Sequence, residues 1–405
     1  MSQRGSLKGK RILAGICVAG PTLVSLIPMA AAPAMPAMAA RFGSGEDGTL
    51  FAQMVMTMPA IMLILAAPVA GLIAARFGRR VTLLVSLVLY LIGGAGVLLV
   101  DSATPLIALR LLLGVAGGGL LTSSLALIGE HFEDNAREKV LGYATSASSL
   151  VAALALMFGG ALVDWAGWRA PFSLYLFALP LLFAALAVIK PASAPVQEES
   201  RLTEHHGGRP LLHMWPYYAL LMLLTIGMFT PAIQLPFLLE ARQITSASFQ
   251  GSIIAGTSII AIFSAGGYGW GRRWLGVHGF LAVDAASMAI GIALIALAPA
   301  TWMIFVGCLF VGIGAGMSEP AIASLIFDRT PAWLHALAMG LIVSALNLGQ
   351  FVNPLAMAPL RHMLGLPGSF LVLASLLGAA AVFIILRQRN DLVERDAPLT
   401  PLASV

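Results

Sequence analysis

The sequence predicts an all-α integral membrane protein with twelve transmembrane helices, arranged as two pseudo-symmetric six-helix bundles. The prediction rests on the composition, on regularly spaced apolar runs and on an internal repeat. Of the 405 residues, 59% are hydrophobic and only 10% are charged, whereas a soluble domain carries about 25% charged residues. This composition excludes an ordinary soluble enzyme.

Twelve runs of the sequence are long and apolar enough to cross a bilayer. A spanning helix needs about 20 residues, because each residue rises about 1.5 Å across a hydrocarbon core of about 30 Å. The runs that satisfy this requirement are residues 12–32, 50–74, 81–100, 104–128, 140–163, 171–189, 216–239, 248–270, 279–298, 302–327, 336–359 and 368–386.

The polar segments between these runs predict the domain organisation. The longest one, residues 190–215, is rich in Pro, Ser, Glu and His and is expected to be a cytoplasmic linker. It separates an N-terminal six-helix bundle, residues 1–189, from a C-terminal six-helix bundle, residues 216–389. Residues 390–405 are expected to form a cytoplasmic tail.

The distribution of basic residues predicts the orientation. Twelve spans place both termini on one side of the membrane. If that side is the cytoplasm, only five of the 23 Lys and Arg residues lie elsewhere: Arg110 inside a span, and Arg41, Arg169, Arg242 and Arg361 outside. Because basic residues are retained on the cytoplasmic side during insertion, we expect a multi-pass protein of a bacterial inner (plasma) membrane with both termini cytoplasmic.

The two halves of the chain are related by a repeat at an offset of 198 residues. Without a gap, this shift places several glycines on glycines: Gly71 on Gly269, Gly78 on Gly276, Gly114 on Gly312, Gly118 on Gly316 and Gly142 on Gly340. Because each half has six spans, the halves have the same orientation. Parallel repeats are typical of transporters that bind substrate between two halves and alternate its access to the two sides.

Several segments resemble motifs of the major facilitator superfamily, and the resemblance covers essentially the whole chain. The loop from Gly71 to Arg80 is similar to motif A, although Ala75 replaces the usual aspartate. Arg110, Gly114 and Gly118 are similar to motif B. Motif C is represented by Gly159-Gly160 without the expected preceding Gly-Pro. The resemblance implies a drug/proton-antiporter-like carrier with a degenerate motif A.

Motif A implies a set of gating residues on the cytoplasmic side, namely Gly71, Arg76, Gly78, Arg79 and Arg80. Asp284, one to two turns into span nine, is grouped with them. The simplest interpretation of Asp284 is an ion pair with Arg272 or Arg273 at the cytoplasmic surface.

Two further ionisable residues lie inside predicted spans. A charge there costs at least about 2.5–3.5 kcal/mol on insertion scales, so each is a candidate functional residue. Glu319 is predicted to be the protonation site, and Arg110 to attract an anion or to assist proton coupling. The resemblance implies that spans one, four, seven and ten line the cavity, so both side chains are expected to face it. Alternatively, the Glu319 side chain caps backbone groups whose helical hydrogen bonds are removed by Pro320, and the Arg110 side chain extends toward the membrane surface.

Uncharged polar and flexible apolar residues complete the predicted substrate site. The polar candidates, besides Arg110, are Gln234, Asn347, Gln350 and Asn353, of which Asn347 and Gln350 share a helix face. Met29, Met228 and Phe229 would form an adaptable apolar wall. The alternative is that the polar residues only join helices and that the apolar ones only pack.

These observations predict a secondary active transporter that moves a small organic solute by alternating access, with proton-coupled export of an amphipathic compound as the main hypothesis. Proton-coupled uptake of an organic anion or metabolite is the alternative, and a non-transporting membrane sensor a more distant one. No P-loop and no nucleophile or metal-ligand spacing is present in the sequence, so we expect no enzyme activity, cofactor or metal. The expected partners are the solute, protons and the bilayer, without nucleic acid, and the chain is expected to act as a monomer.

Overall fold

The computed structural model of the chain describes residues 2–189, 213–331 and 334–396. The predicted linker and tail therefore lie largely outside the described residues. Within those ranges the elements are α-helices, short 3₁₀ segments and turns, and no strand occurs.

The first half is built from seven α-helices and three 3₁₀ segments. The α-helices are Ser2–Ala31, Met35–Phe42, Gly45–Phe77, Arg79–Ala95, Ala103–His131, Asp134–Ala166 and Ala178–Val188, and the 3₁₀ segments are Ala32–Ala34, Gly96–Leu99 and Ala170–Phe177. In the second half the described α-helices are Trp215–Ile233, Leu235–Ala241, Ala247–Leu297, Thr301–Ala315, Ser318–Phe327 and His335–Asp396.

Twelve spans follow from these helices, which confirms the predicted fold class. Among the described residues, eleven segments are long and apolar enough to cross a membrane. One of them, Leu337–Gln388, has 52 residues, about twice the length that a bilayer requires, and it is interrupted by a non-helical residue at Gly365. It therefore supplies spans 11 and 12. Spans are numbered here in chain order from 1 to 12.

Four turns between spans show the same repeat in their backbone conformation. Gly78 and Gly276, which follow spans 2 and 8, have φ angles of 89° and 65°. Gly167 and Gly365, which follow spans 5 and 11, have φ angles of 82° and 71°. Each pair is separated by the predicted offset of 198, and glycine adopts these angles without the steric penalty of a Cβ. We call the face with Gly78 and Gly276 the basic side, and the face with Gly167 and Gly365 the opposite side.

Close helix packing repeats at the same offset. A Cβ atom on Gly114 in span 4 would lie 2.4 Å from the carbonyl oxygen of Pro59 in span 2, and one on Gly312 in span 10 would lie 2.4 Å from the carbonyl oxygen of Thr257 in span 8. Pro59 and Thr257 are themselves 198 residues apart. Glycine thus lets the second and fourth helices of each half approach closely, as is common between membrane helices.

The outer surface of the helix assembly is apolar. Leu72, Phe263 and Phe383 are 73%, 70% and 63% exposed, which would be unfavourable in water over so many positions. In a bilayer these side chains contact lipid, so the surface agrees with the lengths of the spans.

Candidate functional site

Two adjoining chambers lie between the halves of the molecule, with volumes of about 750 Å³ and 240 Å³. They form one cavity, because both are lined by the same central residues: Ser25, Met29, Ala152, Met228, Phe229, Ala315 and Glu319. The larger chamber adds residues of spans 5 and 8, and the smaller one adds residues of spans 2 and 11. Volumes of this size suit small organic molecules.

The larger chamber extends toward the basic side. Its lining includes Gly142 and Thr145 near the start of span 5 and Gly266 near the end of span 8, and all three are exposed. Several hydroxyl groups follow this route along span 5, from Thr145 to Ser149. The cavity is therefore open toward the basic side.

Glu319 is the one charged residue among the described residues that line the two chambers. Span 10 is broken between Ala315 and Ser318, and Glu319 lies in the first turn of the helix that begins at Ser318. Its side chain is exposed to the cavity and makes no hydrogen bond or ion pair with another described residue. A carboxyl group in this position is available to a proton or to a cationic ligand.

Five of the predicted substrate-site residues lie around this cavity. Met29, Met228 and Phe229 line both chambers, and Asn347 and Gln350 line the smaller one. The three apolar residues come from spans 1 and 7 and line the same two chambers as Glu319. Together these residues combine an adaptable apolar wall with a few polar groups, which is the usual composition of a small-molecule site.

Gln234 and Asn353 do not line either chamber. Both are fully buried, and Gln234 donates from Nε2 to Oδ1 of Asn353 at 2.9 Å. Asn353 in turn donates to the hydroxyl of Thr230 at 3.1 Å and to the carbonyl of Ile226 at 2.8 Å. Their prediction as substrate ligands is replaced by a role in joining helices, because the amide groups satisfy each other in the protein interior.

The amide of Gln234 belongs to a polar network that joins the halves near the opposite side. Nη1 of Arg361 donates to Oε1 of Gln234 at 2.6 Å and to Oε1 of Gln53 at 2.8 Å, and Nε2 of Gln53 donates to Oε1 of Gln234 at 2.8 Å. Nη2 of Arg361 forms an ion pair with Glu46 at 3.0 Å. We call the set of Glu46, Gln53, Gln234, Asn353 and Arg361 the latch.

A second polar connection joins the halves on the same side. Asp164, near the end of span 5, accepts hydrogen bonds from the backbone N–H groups of Ala247 at 2.8 Å and Ser248 at 2.9 Å. These are free donors at the N-terminus of span 8, where a carboxylate is favoured. With the latch between spans 2 and 11, this cap closes the opposite side while the basic side is open.

Arg110 is placed differently from the prediction. It is fully buried and lines neither chamber. Its Nη1 donates to the hydroxyl of Tyr175 at 3.0 Å, and its guanidinium carbon lies 4.5 Å from the centre of the Phe172 ring. The 3₁₀ segment Ala170–Phe177 thus encloses Arg110 inside the first half. Span 4 contributes no residue to the lining of the two chambers, which corrects the expectation that it faces the cavity.

The motif A residues make contacts within the first half. Nη1 of Arg79 donates to Glu130 at 2.7 Å and to the carbonyl of Ala126 at 2.9 Å, and Nη2 of Arg80 donates to the carbonyl of Leu186 at 3.2 Å. The guanidinium of Arg76 lies 5.5 Å from the ring centre of Phe77. A Cβ atom on Gly71 would lie 3.9 Å from the Thr122 side chain, and Gly78 forms the turn between spans 2 and 3. These contacts hold spans 2, 3, 4 and 6 together on the basic side.

Asp284 is not at the cytoplasmic surface, and the predicted ion pair with Arg272 or Arg273 is wrong. Arg272 pairs with Asp328 at 3.2 Å. Asp284 is fully buried, and it accepts a hydrogen bond at 2.7 Å from the hydroxyl of Ser318. The cause is the position of Asp284 along span 9, which directs the side chain toward the break in span 10.

Sequence reasoning missed the residues that close the opposite side. The sequence predicts that Arg361 lies outside the spans, and no pattern in it points to Glu46, Gln53 or Asp164. One signal was available: the offset of 198 relates Arg361 to Val163, so a charge appears in one half where the other is apolar. That signal does not identify the partners, which come from distant spans.

Comparison with known proteins identifies the type of protein to which this architecture belongs. A sequence model described as the Major Facilitator Superfamily matches residues 20–332. The human vesicular acetylcholine transporter is 33% identical over 48% of this chain and 37% of its own length. The multidrug transporter protein MdtP of Bacillus subtilis is 28% identical over 30% of this chain and 22% of its own length. The chain thus spans well under half the length of these curated relatives.

Solved structures match over nearly the whole chain. A D-xylose-proton symporter superposes with a TM-score of 0.76 at 16% identity, covering 92% of this chain and 96% of that one. The POT family transporter PepTSo superposes with a TM-score of 0.75 at 13% identity, covering 94% and 98%. At these identities the likeness concerns the fold.

Proposed function

This chain belongs to the Major Facilitator Superfamily of transporters, and from that membership we propose that it exports an amphipathic compound in exchange for protons by alternating access. One relative that is an exporter by name is the efflux pump dotC of Dothistroma septosporum, which is 32% identical over 34% of this chain and 23% of its own length. The solute, the coupling ion and the direction of transport are the proposed elements.

The observation that carries the proposal is the unpaired carboxyl group of Glu319 in an otherwise uncharged cavity. Lys, Arg and His are absent from the described lining of both chambers. A carboxylate that shares its chambers with Met29, Met228 and Phe229 favours a ligand with a positive charge and an apolar body, because the ligand neutralises the charge in the cavity and covers apolar surface. A proton neutralises the same group, so proton and organic cation compete for one site, which is the basis of antiport.

Alternating access is supported by the asymmetry of polar contacts between the two sides. The cavity reaches the basic side, whereas the latch and the Asp164 cap join the halves on the opposite side. Movement to the other state requires these contacts to separate. The latch groups are hydrogen-bonded to one another, so their separation breaks these hydrogen bonds. Water on the opened side must then form hydrogen bonds with the separated groups.

The positive-inside rule supports an orientation in which the basic side is cytoplasmic. In that orientation the open cavity of Glu319 faces the cytoplasm, from which an exporter takes its substrate. We propose that the protein resides in a bacterial inner membrane with both termini cytoplasmic, and that a single chain forms the complete pathway, because residues of both halves line both chambers.

Uptake of an organic anion, the alternative, is favoured by two features: an arginine in the cavity and the missing Gly-Pro before Gly159. Arg110 is enclosed by Phe172 and Tyr175 instead, so only the missing Gly-Pro still supports uptake. A sensor without transport would bind a ligand and show no flux.

Transport of tetraphenylphosphonium, an amphipathic cation, by the purified full chain in proteoliposomes tests the proposal. We expect uptake into inside-out oriented vesicles with an acidic interior, and loss of gradient-driven transport in Glu319→Gln. Glu133→Gln is the matched control, because Glu133 is exposed on the basic side. Cation transport by Glu319→Gln that stays fully dependent on the proton gradient would refute the role of Glu319. Transport in the direction of proton flow would replace export by uptake.

A further inference from the structure

Span 9 carries a carboxyl group that the proposed function does not use. Asp284 is fully buried, and its Oδ2 accepts a hydrogen bond from Ser318 at 2.7 Å. Its Oδ1 is also buried and has no hydrogen-bond partner. Buried carboxyl oxygens usually have partners, so this oxygen requires an explanation.

The fold itself does not require a carboxyl group at this position. The repeat relates Asp284 to Ser86, which is a buried, uncharged residue in span 3 of the first half. Ionisable residues are rare inside membrane spans and are typically functional. The carboxyl group of Asp284 therefore adds a property that the equivalent site in the first half lacks.

Charges on the surrounding elements do not neutralise Asp284. On the basic side Arg272 pairs with Asp328, and Arg273, Arg329 and Arg387 are exposed there or contact other groups. On the opposite side Arg361 of span 11 belongs to the latch. Glu319 of span 10 faces the cavity. No ion pair involves Asp284 among the described residues.

Ser318 connects Asp284 to the cavity. The serine is itself part of the smaller chamber's lining, next to Glu319, and it begins the helix that follows the break in span 10. Its hydroxyl has two acceptors within reach, Oδ2 of Asp284 at 2.7 Å and the carbonyl oxygen of Gly314 at 3.2 Å. Asp284 thus bonds the first residue of the helix after the break, and Glu319 is the next residue of that helix.

We propose that Asp284 binds and releases a second proton during the transport cycle, and that Ser318 transmits its protonation state to the break in span 10. When Asp284 is ionised, the Ser318 hydroxyl donates to Oδ2. When a proton binds, the carboxylic O–H donates to Oγ of Ser318, and the serine proton turns to the carbonyl of Gly314. No covalent bond other than the O–H bond of Asp284 changes. This inference rests on the proposed function for its role in transport, but the protonation itself can be measured independently.

Infrared difference spectroscopy of the full chain in lipid, after a pH step, tests the protonation directly. We expect a carboxylic C=O band that is lost in Asp284→Asn, is retained in Glu319→Gln and changes frequency in Ser318→Ala. Ser287→Ala is the control, because its hydroxyl bonds the backbone carbonyl of Asp284 and not the carboxyl group. If the pH-dependent spectra of Asp284→Asn and the unmodified chain are the same, the proposal is overturned.

Transport stoichiometry tests the role of the proton. In proteoliposomes with an entrapped pH dye, Asp284→Asn should move one proton fewer per tetraphenylphosphonium ion, while its affinity for that cation stays within about twofold. Asp284→Ser, which introduces the residue type of the repeat partner Ser86, should also move one proton fewer per cation. This second variant keeps the test valid if Asp284→Asn misfolds. An unchanged ratio in both variants refutes the second proton while leaving the export proposal intact. Absence of all cation flux in the unmodified chain refutes export. In that case the infrared experiment still shows whether Asp284 binds and releases a proton.

Discussion

Arg361 in span 11 donates hydrogen bonds from Nε and Nη2 to a single oxygen of Glu46 in span 2, at 3.2 and 3.0 Å. The arginine side chain is 1% exposed, whereas that of Glu46 is 51% exposed. The pair therefore joins a buried cation to a carboxylate at the surface of the opposite side. It ties the two halves together through residues 315 positions apart, and it is the outermost member of the latch.

The first prediction concerns this pair. Arg361→Met should shift the population toward a state open on the opposite side by roughly 10- to 100-fold, since hydrogen bonds to charged groups contribute about 1.5–3 kcal/mol. Glu46→Gln should give a smaller shift, because Glu46 is partly solvated. The measurement is the labelling rate of a cysteine at Ala152, in a chain without Cys17 and Cys308, by an impermeant thiol reagent added on the opposite side. Asp47→Asn, a neighbouring exposed residue, should not change the rate, and equal rates in all variants would contradict the latch.

The second prediction concerns the cap on span 8. Asp164→Ala removes the acceptor of two backbone N–H groups, and loss of such a cap costs about 1 kcal/mol. Labelling from the opposite side should rise roughly fivefold, and less in Asp164→Asn, which keeps one acceptor oxygen. Asp101→Ala is the control, because Asp101 pairs with Arg169 within the first half. A larger effect in Asp101→Ala than in Asp164→Ala would speak against the cap.

The third prediction separates Arg110 from the substrate site. Because Arg110 lines neither chamber, Arg110→Met should leave the Kd for tetraphenylphosphonium within about twofold. Arg110→Lys should lower the Tm more than Arg110→Met does. Lysine loses the contact with Phe172 and keeps a buried charge, whereas methionine fills the space without one. Thermal unfolding and equilibrium dialysis on the same preparations provide the two readouts. A tenfold higher Kd in Arg110→Met would show that Arg110 contributes to the substrate site.

The fourth prediction concerns the repeated glycine contacts. Gly114→Ala and Gly312→Ala should each destabilise the fold by about 1–3 kcal/mol, because the new methyl group meets backbone oxygen in a close-packed interior. Gly142→Ala and Gly340→Ala, another pair at the offset of 198, have no atom within 4 Å of the added Cβ and should be neutral or slightly stabilising. The comparison is made from thermal unfolding of the four variants in one detergent. Similar losses at all four positions would show that space at the glycine is not the cause.

The amino-acid sequence by itself determined the fold. Span length follows from the thickness of a bilayer, and the requirement for internally satisfied backbone groups leaves helices as the solution for long apolar runs. The offset of 198 was readable because glycines are needed at fixed turns and close contacts, and Gly78, Gly276, Gly167 and Gly365 occupy those turns in the structure. Glu319 was also identifiable from sequence, because a carboxyl group within a span is conspicuous.

Only the tertiary structure decided which polar side chains meet. Gln234 and Asn353 have the same side-chain types as Gln350 and Asn347. Nevertheless, Gln234 and Asn353 are hydrogen-bonded within the latch, whereas Asn347 and Gln350 line the cavity. Arg110 and Glu319 both lie inside spans, but the rotation of span 4 turns the arginine toward Phe172 and Tyr175. The physical reason is that the partners of a polar group come from helices distant in sequence, and their relative rotation is set by packing of the whole bundle.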